Sequence, residues 1–256
     1  MRWMENFLRK FRKTMAERSH TCDACGGEVF SYPSPRLCKE CLSSLTYNDG
    51  SFCDKCGRPT RGAGVCNACK EHPPAFERAA APLAYFDRSA LLVNRFKNGK
   101  RYLSYYFAEE MAKALGRLPK REYTLVAVPL TANKQRLRGY NQAEELIEHL
   151  AELTGYAAKI GILEKRKDNE QKQLSAKERR ENIVGAFRVV DRKFCKGKDF
   201  LIVDDVMTSG ATISEIASIL LRAGANSVCA VCIAAVPDRD YVSVEEDDQR
   251  NLLASM

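Results

Sequence analysis

Eight of the eleven cysteines stand between Cys22 and Cys69, every one of them in a C-x-x-C pair. No other feature constrains the fold of this chain so tightly. Cys22/Cys25 and Cys38/Cys41 are separated by twelve residues, Cys53/Cys56 and Cys66/Cys69 by nine. A C-x-x-C knuckle presents two thiolates to one metal ion, and two knuckles complete a tetrahedron. Zinc favours such a set of four thiolates and needs no redox chemistry to bind it. Gly26 and Gly57 follow two of the knuckles, as tight knuckle turns favour. Residues 20–75 contain little else that could form a core. Eight ligands imply two zinc ions, paired either sequentially or interleaved. Four thiolates per ion leave no open position, so the role is structural; an iron–sulfur cluster is the alternative. His20 and His72 border the segment and read as surface residues. Lys/Arg and Asp/Glu number six each over residues 20–75, which weakens a nucleic-acid reading for this part. Cys229 and Cys232 fall in an apolar run, where free cysteine is ordinary core.

The 256 residues suffice for one α/β domain and a small appendage. No apolar run approaches the roughly 20 residues of a membrane helix. Arg9, Lys10, Arg12 and Lys13 fall where a secretory signal would need its apolar segment, so the expected location is the cytoplasm. Clustered thiols suit that reducing compartment as metal ligands. Residues 1–19 carry Trp3, Phe7, Phe11 and Met15 at four-residue spacing among six Lys/Arg. That pattern predicts a basic amphipathic helix, packed on its own domain, or docked on a partner protein or peripherally at the inner membrane face.

Beyond the cysteines, strands alternate with helices. Strands are expected at 79–86, 124–129, 200–204 and 227–235. Helices are expected at 89–97, 102–116, 140–154 and about 213–223, the third with Ala143, Leu146, Ile147, Leu150 and Leu153 on one face. Residues 164–182 are almost wholly polar and read as a loop. The expected fold is α/β, a mostly parallel sheet with flanking helices behind a small Cys-rich double zinc module. Expected boundaries are 1–19 for the helix, 20–75 for the module, 76–236 for the α/β domain and 237–256 for an acidic disordered tail.

The chemistry concentrates in FLIVDDVMTSGATISE, Phe200 to Glu215. A buried strand delivers Asp204 and Asp205, then Thr208, Ser209, Gly210, Ala211 and Thr212 lead into a helix. Small residues let backbone N–H groups approach a phosphate, and the helix N-terminus adds its positive end. Carboxylates beside a phosphate repel it unless they serve another part of the ligand. Sugar hydroxyls, or a magnesium ion bridging to them, meet that need. The segment lacks a Walker lysine and a dinucleotide-binding G-x-G-x-x-G. The ligand inferred is a sugar phosphate.

LIVDDVMTSGAT resembles the signature of the type I phosphoribosyltransferases, which bind phosphoribosyl pyrophosphate (PRPP). VAVPLTANKQRLRGYNQAEELIEHLA, QKQLSAKERRENIVGAF and the eight cysteines together resemble the ComF/ComFC competence family, over roughly residues 20–236. The resemblance implies a type I phosphoribosyltransferase-like sheet. Asp204 and Asp205 would contact the ribose, and Thr208 to Thr212 the 5-phosphate. Pro129, Leu130 and Thr131 would meet the pyrophosphate with Lys134, Arg136 and Arg138 as the cations beside them. Arg136, Arg138, Tyr140, Asn141 and Gln142 belong to the family's R-G-Y-N-Q segment. Loop 164–182, with Arg166, Lys172, Lys177, Arg179 and Arg180, would be the lid over PRPP.

One position departs from many purine-using relatives, which carry an acidic general base in the phosphate loop. Thr208 stands there, as in orotate-type relatives, and no catalytic residue is assigned. The resemblance implies a DNA-uptake protein that binds PRPP with magnesium, handles incoming single-stranded DNA and works with a helicase-like ATPase. The alternative is a magnesium-dependent phosphoribosyltransferase of nucleotide metabolism with an unidentified acceptor. Residues 88–121 hold nine Lys/Arg against two Glu, with Phe96, Tyr102, Tyr105, Tyr106 and Phe107 among them. Bases could stack on such aromatics, but a helix over 102–116 would bury most of them.

Overall fold

Nine consecutive buried residues, SVCAVCIAA, form β8 (Ser227–Ala235), the strand around which the sheet is built. A strand apolar on both faces needs cover on both faces, and that is a parallel-sheet environment. The computed structural model describes residues 21–29, 37–166, 183, 185–238 and 241. The expected N-terminal helix, most of the lid and most of the acidic tail lie outside these residues. The chain divides into two compact units, Met1–Leu45 and Thr46–Met256.

The first unit holds Cys22, Cys25, Cys38 and Cys41 and the short helix α1 (Lys39–Ser43). The second opens with the other cysteine knuckles and α2 (Asn67–Glu71). It continues through β1 (Ala79–Ala80), β2 (Leu83–Ala84), α3 (Asp87–Lys97), α4 (Leu103–Ala114) and β3 (Thr124–Ala127). Then come α5 (Ala132–Arg138), α6 (Gln142–Thr154), β4 (Ala157–Ala158), β5 (Leu163–Lys165), β6 (Phe187–Val189) and α7 (Arg192–Cys195). The last elements are β7 (Asp199–Met207), α8 (Ala211–Arg222) and β8.

Among the described residues the main sheet runs β1–β8–β7–β3–β4, with β2 also on β8, and every pairing is parallel. The expected strand at 79–86 is two short pieces, because Pro82 has no N–H to give the ladder. Helix α5, over 132–138, is an addition to the expected elements. Thr131 caps it, and Gly139 ends it at φ 76°. Leu153, expected on the buried face of α6, is exposed. Residues 164–165, expected in the loop, belong to β5, which pairs with β6 as an antiparallel ribbon.

Side chains alternate along β7. Phe200 and Ile202 join a buried cluster with Ile213, Ile216 and Leu220 of α8, Phe76, and Cys53, Cys56, Cys66 and Cys69. The second cysteine group is therefore core material of the sheet unit. Gly57 makes the close approach possible: at φ +67° it lies so near β1 that a Cβ would sit 2.4 Å from the Ala79 carbonyl oxygen. Asn48 Nδ2 secures the turn, donating to the Gly57 carbonyl at 2.7 Å and the Ala81 carbonyl at 3.0 Å.

Candidate functional site

Chain direction fixes where a ligand can sit. From β3 the chain moves through α5 and α6 to β4 on one side, and from β7 it moves through α8 to β8 on the other. The carboxyl ends of β3 and β7 are thus a topological switch point, where open α/β sheets leave a crevice. Residues 128–131 leave β3 there, and 208–210 leave β7 on the same edge, four residues farther along. β3 ends opposite Val203, whereas β7 continues to Met207. Asp204 and Asp205 therefore lie within β7, not at its end as expected, yet stand beyond the end of β3.

Thr208 is exposed, and Gly210 is buried at φ +76° as the N-cap of α8. The expected helix start near Ile213 moves to Ala211, so Ala211 and Thr212 are the first helical residues. Their N–H groups fall in the turn that has no intrahelical carbonyl to meet. Thr131 is buried and its Oγ1 accepts from the Lys134 N–H at 3.4 Å. Pro129, Leu130 and Lys134 are half-buried at the crevice end of β3, whereas Arg136 and Arg138 are exposed along α5. Arg138 Nη1 donates to Gln142 Oε1 at 3.0 Å.

The two carboxylates have different surroundings. Lys97 Nζ meets Asp205 Oδ1 at 3.1 Å. Asp204 Oδ1 accepts from the Asp205 N–H at 2.8 Å. Burial, reinforced by the Asp205 charge, pushes the Asp204 carboxyl up to about 7, against the opposing pull of Lys97 and Lys165. Sequence alone assigns neither lysine to the site. Lys97 reads there as part of a basic stretch with Lys100 and Arg101, and Lys165 as the edge of the lid.

The R-G-Y-N-Q segment explains how Lys97 arrives there. The Tyr140 hydroxyl donates to the Phe96 carbonyl and accepts from the Gly99 N–H. Gln142 Nε2 donates to the Lys97 carbonyl at 3.4 Å. Asn141 Nδ2 donates to the Val128 carbonyl at 3.2 Å, and its Oδ1 caps α6 through the Ala143 N–H. Tyr140 and Gln142 thus hold the end of α3, and Asn141 holds the end of β3. Arg101 pairs with Glu145 and lies over the Tyr140 ring, so it too is engaged. Phe96, Tyr106 and Phe107 are buried and cannot stack on bases; only Tyr102 and Tyr105 of that group reach the surface.

The cysteines group sequentially: Cys22, Cys25, Cys38 and Cys41 in one set, Cys53, Cys56, Cys66 and Cys69 in the other, with the sulfurs of each set within 4.8 Å of one another. Cys25 and Cys38 sulfurs are 3.9 Å apart, and Cys56 and Cys66 sulfurs 3.8 Å. A tetrahedron with zinc–sulfur bonds of about 2.3 Å requires about 3.8 Å between sulfurs. Backbone N–H groups point at the sulfurs, including those of Cys38 toward Cys22 at 3.3 Å and Cys66 toward Cys53 at 3.3 Å. Such donors favour thiolate over thiol. Both sets fit structural zinc. His72 is exposed, and Cys229 and Cys232 are buried in β8.

Sheet order, crevice and paired carboxylates define the class of the larger unit: a phosphoribosyl transferase domain, whose family model matches residues 103–250. A double zinc ribbon domain matches residues 14–70. The DNA utilization protein YhgH of Salmonella typhimurium is 32% identical over 212 residues, 77% of this chain and 89% of that protein. Competence protein F of Haemophilus influenzae is 28% identical over 81% of this chain and 86% of its own length. Competence protein ComFC of Bacillus subtilis is 26% identical over 75% and 80%. The chain belongs to the ComF/ComFC family of phosphoribosyltransferase-domain proteins. Among the described residues no helix is long and apolar enough to cross a membrane.

Proposed function

We propose that the crevice between the ends of β3 and β7 binds PRPP with magnesium, and that the protein acts through this site in the handling of single-stranded DNA during competence. One observation carries the reading. Asp204 and Asp205 stand past the end of β3, one turn of chain before the N-terminus of α8, so a single ligand can present hydroxyls to the first and a phosphate to the second. Thr208 to Thr212 hold the 5-phosphate through N–H and hydroxyl donors. The turn Pro129–Thr131 and Lys134 take the pyrophosphate, with Arg136 and Arg138 on α5 adding charge. Magnesium, when bound with the ligand, would screen the pyrophosphate from the two carboxylates. Lys97 and Lys165 keep the carboxylate pair from repelling an anionic ligand outright.

The names of the relatives, for DNA utilization and for competence, support the DNA part of the proposal. A cytoplasmic location, with or without docking at the inner membrane face, and a helicase-like ATPase partner are proposed on the same basis. The expected module and domain boundaries at residues 20–75 and 76–236 are kept as a proposal too. The alternative reading is a magnesium-dependent phosphoribosyltransferase in nucleotide metabolism, whose acceptor is unidentified. It shares the PRPP site and differs in releasing pyrophosphate to an acceptor.

Calorimetry of the zinc-loaded chain with PRPP, with and without magnesium, tests the site; absence of binding heat under both conditions overturns it. If the site serves DNA uptake, the double variant D204N/D205N loses both PRPP binding and transformation. Transformation that survives loss of PRPP binding separates the two. For DNA contact, Lys100 is an exposed cation of the 97–101 patch. Its reversal, K100E, is expected to weaken single-stranded DNA binding and flatten its salt dependence by about one phosphate contact.

A further inference from the structure

We propose that Arg58 couples the second four-cysteine site to the phosphate loop, so that occupancy of that metal site sets how well the loop is arranged to bind. The inference rests on the proposed role of residues 208–212 as a phosphate cradle. Arg58 follows the Cys53/Cys56 knuckle, is nine-tenths buried, and its charge faces the sulfurs of Cys56 and Cys66. Its Nη2 donates to the Thr208 carbonyl at 2.8 Å. One guanidinium therefore faces the metal site on one side and touches the first residue of the loop on the other. A zinc ion with four thiolates carries a net charge of about −2, which together with the Asp238 carboxylate gives a buried guanidinium its partners. Arg58 Nε is buried with no hydrogen-bond partner among the described residues, so the group is held by its two ends and by charge.

The consequence for the loop follows from peptide geometry. A trans peptide is planar, and its C=O and the following N–H point in opposite directions. With the Thr208 carbonyl drawn to Arg58, the Ser209 N–H must point away from the knuckle. Arg58 thus aims a phosphate donor without touching the ligand; it is a positioning residue. Two further contacts from the same segment brace the loop. The Ala75 N–H donates to Ser214 Oγ at 3.0 Å, and the Phe76 ring lies under Gly210, 3.9 Å from where a Cβ would be. When the knuckle loses its metal, the Arg58 end of this brace loses its anchor.

The test uses the full-length, zinc-loaded chain and three variants: R58M, R58K and, as a charge control, R61M at the exposed Arg61 of the same segment. Amide hydrogen exchange over residues 206–214, without ligand, reads the coupling directly. R58M is expected to exchange these amides about tenfold faster, the scale of one lost charged hydrogen bond, and R61M to match the wild type. R58K retains charge and a donor but not the planar fork, and is expected to fall between them. PRPP affinity, measured with magnesium by calorimetry, follows the same order. If R58M keeps its zinc and exchanges the loop at the wild-type rate, the coupling is overturned. If R58M does not keep its zinc, the wild-type chain decides: removal of zinc by a chelating dye must speed exchange over 206–214, and exchange that stays unchanged overturns the proposal. A wild-type chain that binds no PRPP overturns the proposed function instead, and the exchange results still decide the coupling.

Discussion

Asp204 holds its proton to a higher pH than an exposed aspartate does. Burial and the Asp205 charge push its carboxyl up to about 7, well above the usual carboxylate range. The sign of the stability effect follows. The folded chain binds this proton more tightly than the unfolded chain, so Asp204 costs progressively more stability as pH rises from about 4 to about 7. The variant D204N should therefore melt higher than the wild type at pH 8, with the gain shrinking as pH falls toward 4; scanning calorimetry at several pH values checks this. Ligand binding has the opposite dependence, because a ribose hydroxyl or magnesium needs the carboxylate. PRPP affinity should weaken about fivefold from pH 7 to pH 6. The Asp205 N–H is the first counterweight and Lys97, in a partly screened ion pair with Asp205, the next. K97M should lower stability by about 1 kcal/mol at pH 8 and raise the pH at which PRPP binding half-disappears. A nuclear magnetic resonance titration of the Asp204 carboxyl would follow that shift.

At the scale of elements, two glycines with nearly the same φ have different costs. Gly57→Ala would place a methyl group 2.4 Å from a backbone oxygen of β1, which cannot yield cheaply. It should destabilise by several kcal/mol in denaturant titrations and loosen the second zinc. Gly210→Ala meets nothing nearer than 3.8 Å, so only the left-handed backbone is strained, at about 1–2 kcal/mol. Local chemistry made much of this legible in the sequence. The C-x-x-C spacing marks the metal sites, and an apolar run followed by D-D-V-M-T-S-G-A-T marks β7, its loop and α8. What the sequence does not reveal depends on contacts between distant segments. Lys97 reads as one cation in a basic stretch because Gln142 and Tyr140, which hold its helix end, lie over forty positions away. Strand β5 is only three residues long, and its partner β6 lies on the far side of the polar loop. Nothing in the sequence singles out Arg58; its contact with Thr208 spans 150 positions.

For the whole molecule, the sequential four-cysteine groups predict two zinc ions per chain, measured by metal analysis after dialysis, and a C53S variant that retains one. The two zinc ions should also differ in what depends on them, since the second set is packed with β7, α8 and Phe76 in one core. That sheet has a further consequence on the ribosome. β1 follows directly on the second knuckle, but its pairing partner is β8, with Ala79 opposite Ala230. The knuckle can close on its metal as soon as Cys69 has emerged, whereas the strand it docks against gains a neighbour only after about 150 further residues are made. During that interval translation produces a metal-bearing knuckle joined to an unpaired edge. A nascent chain stalled before β8 should therefore bind zinc while its β1 segment stays open to proteolysis.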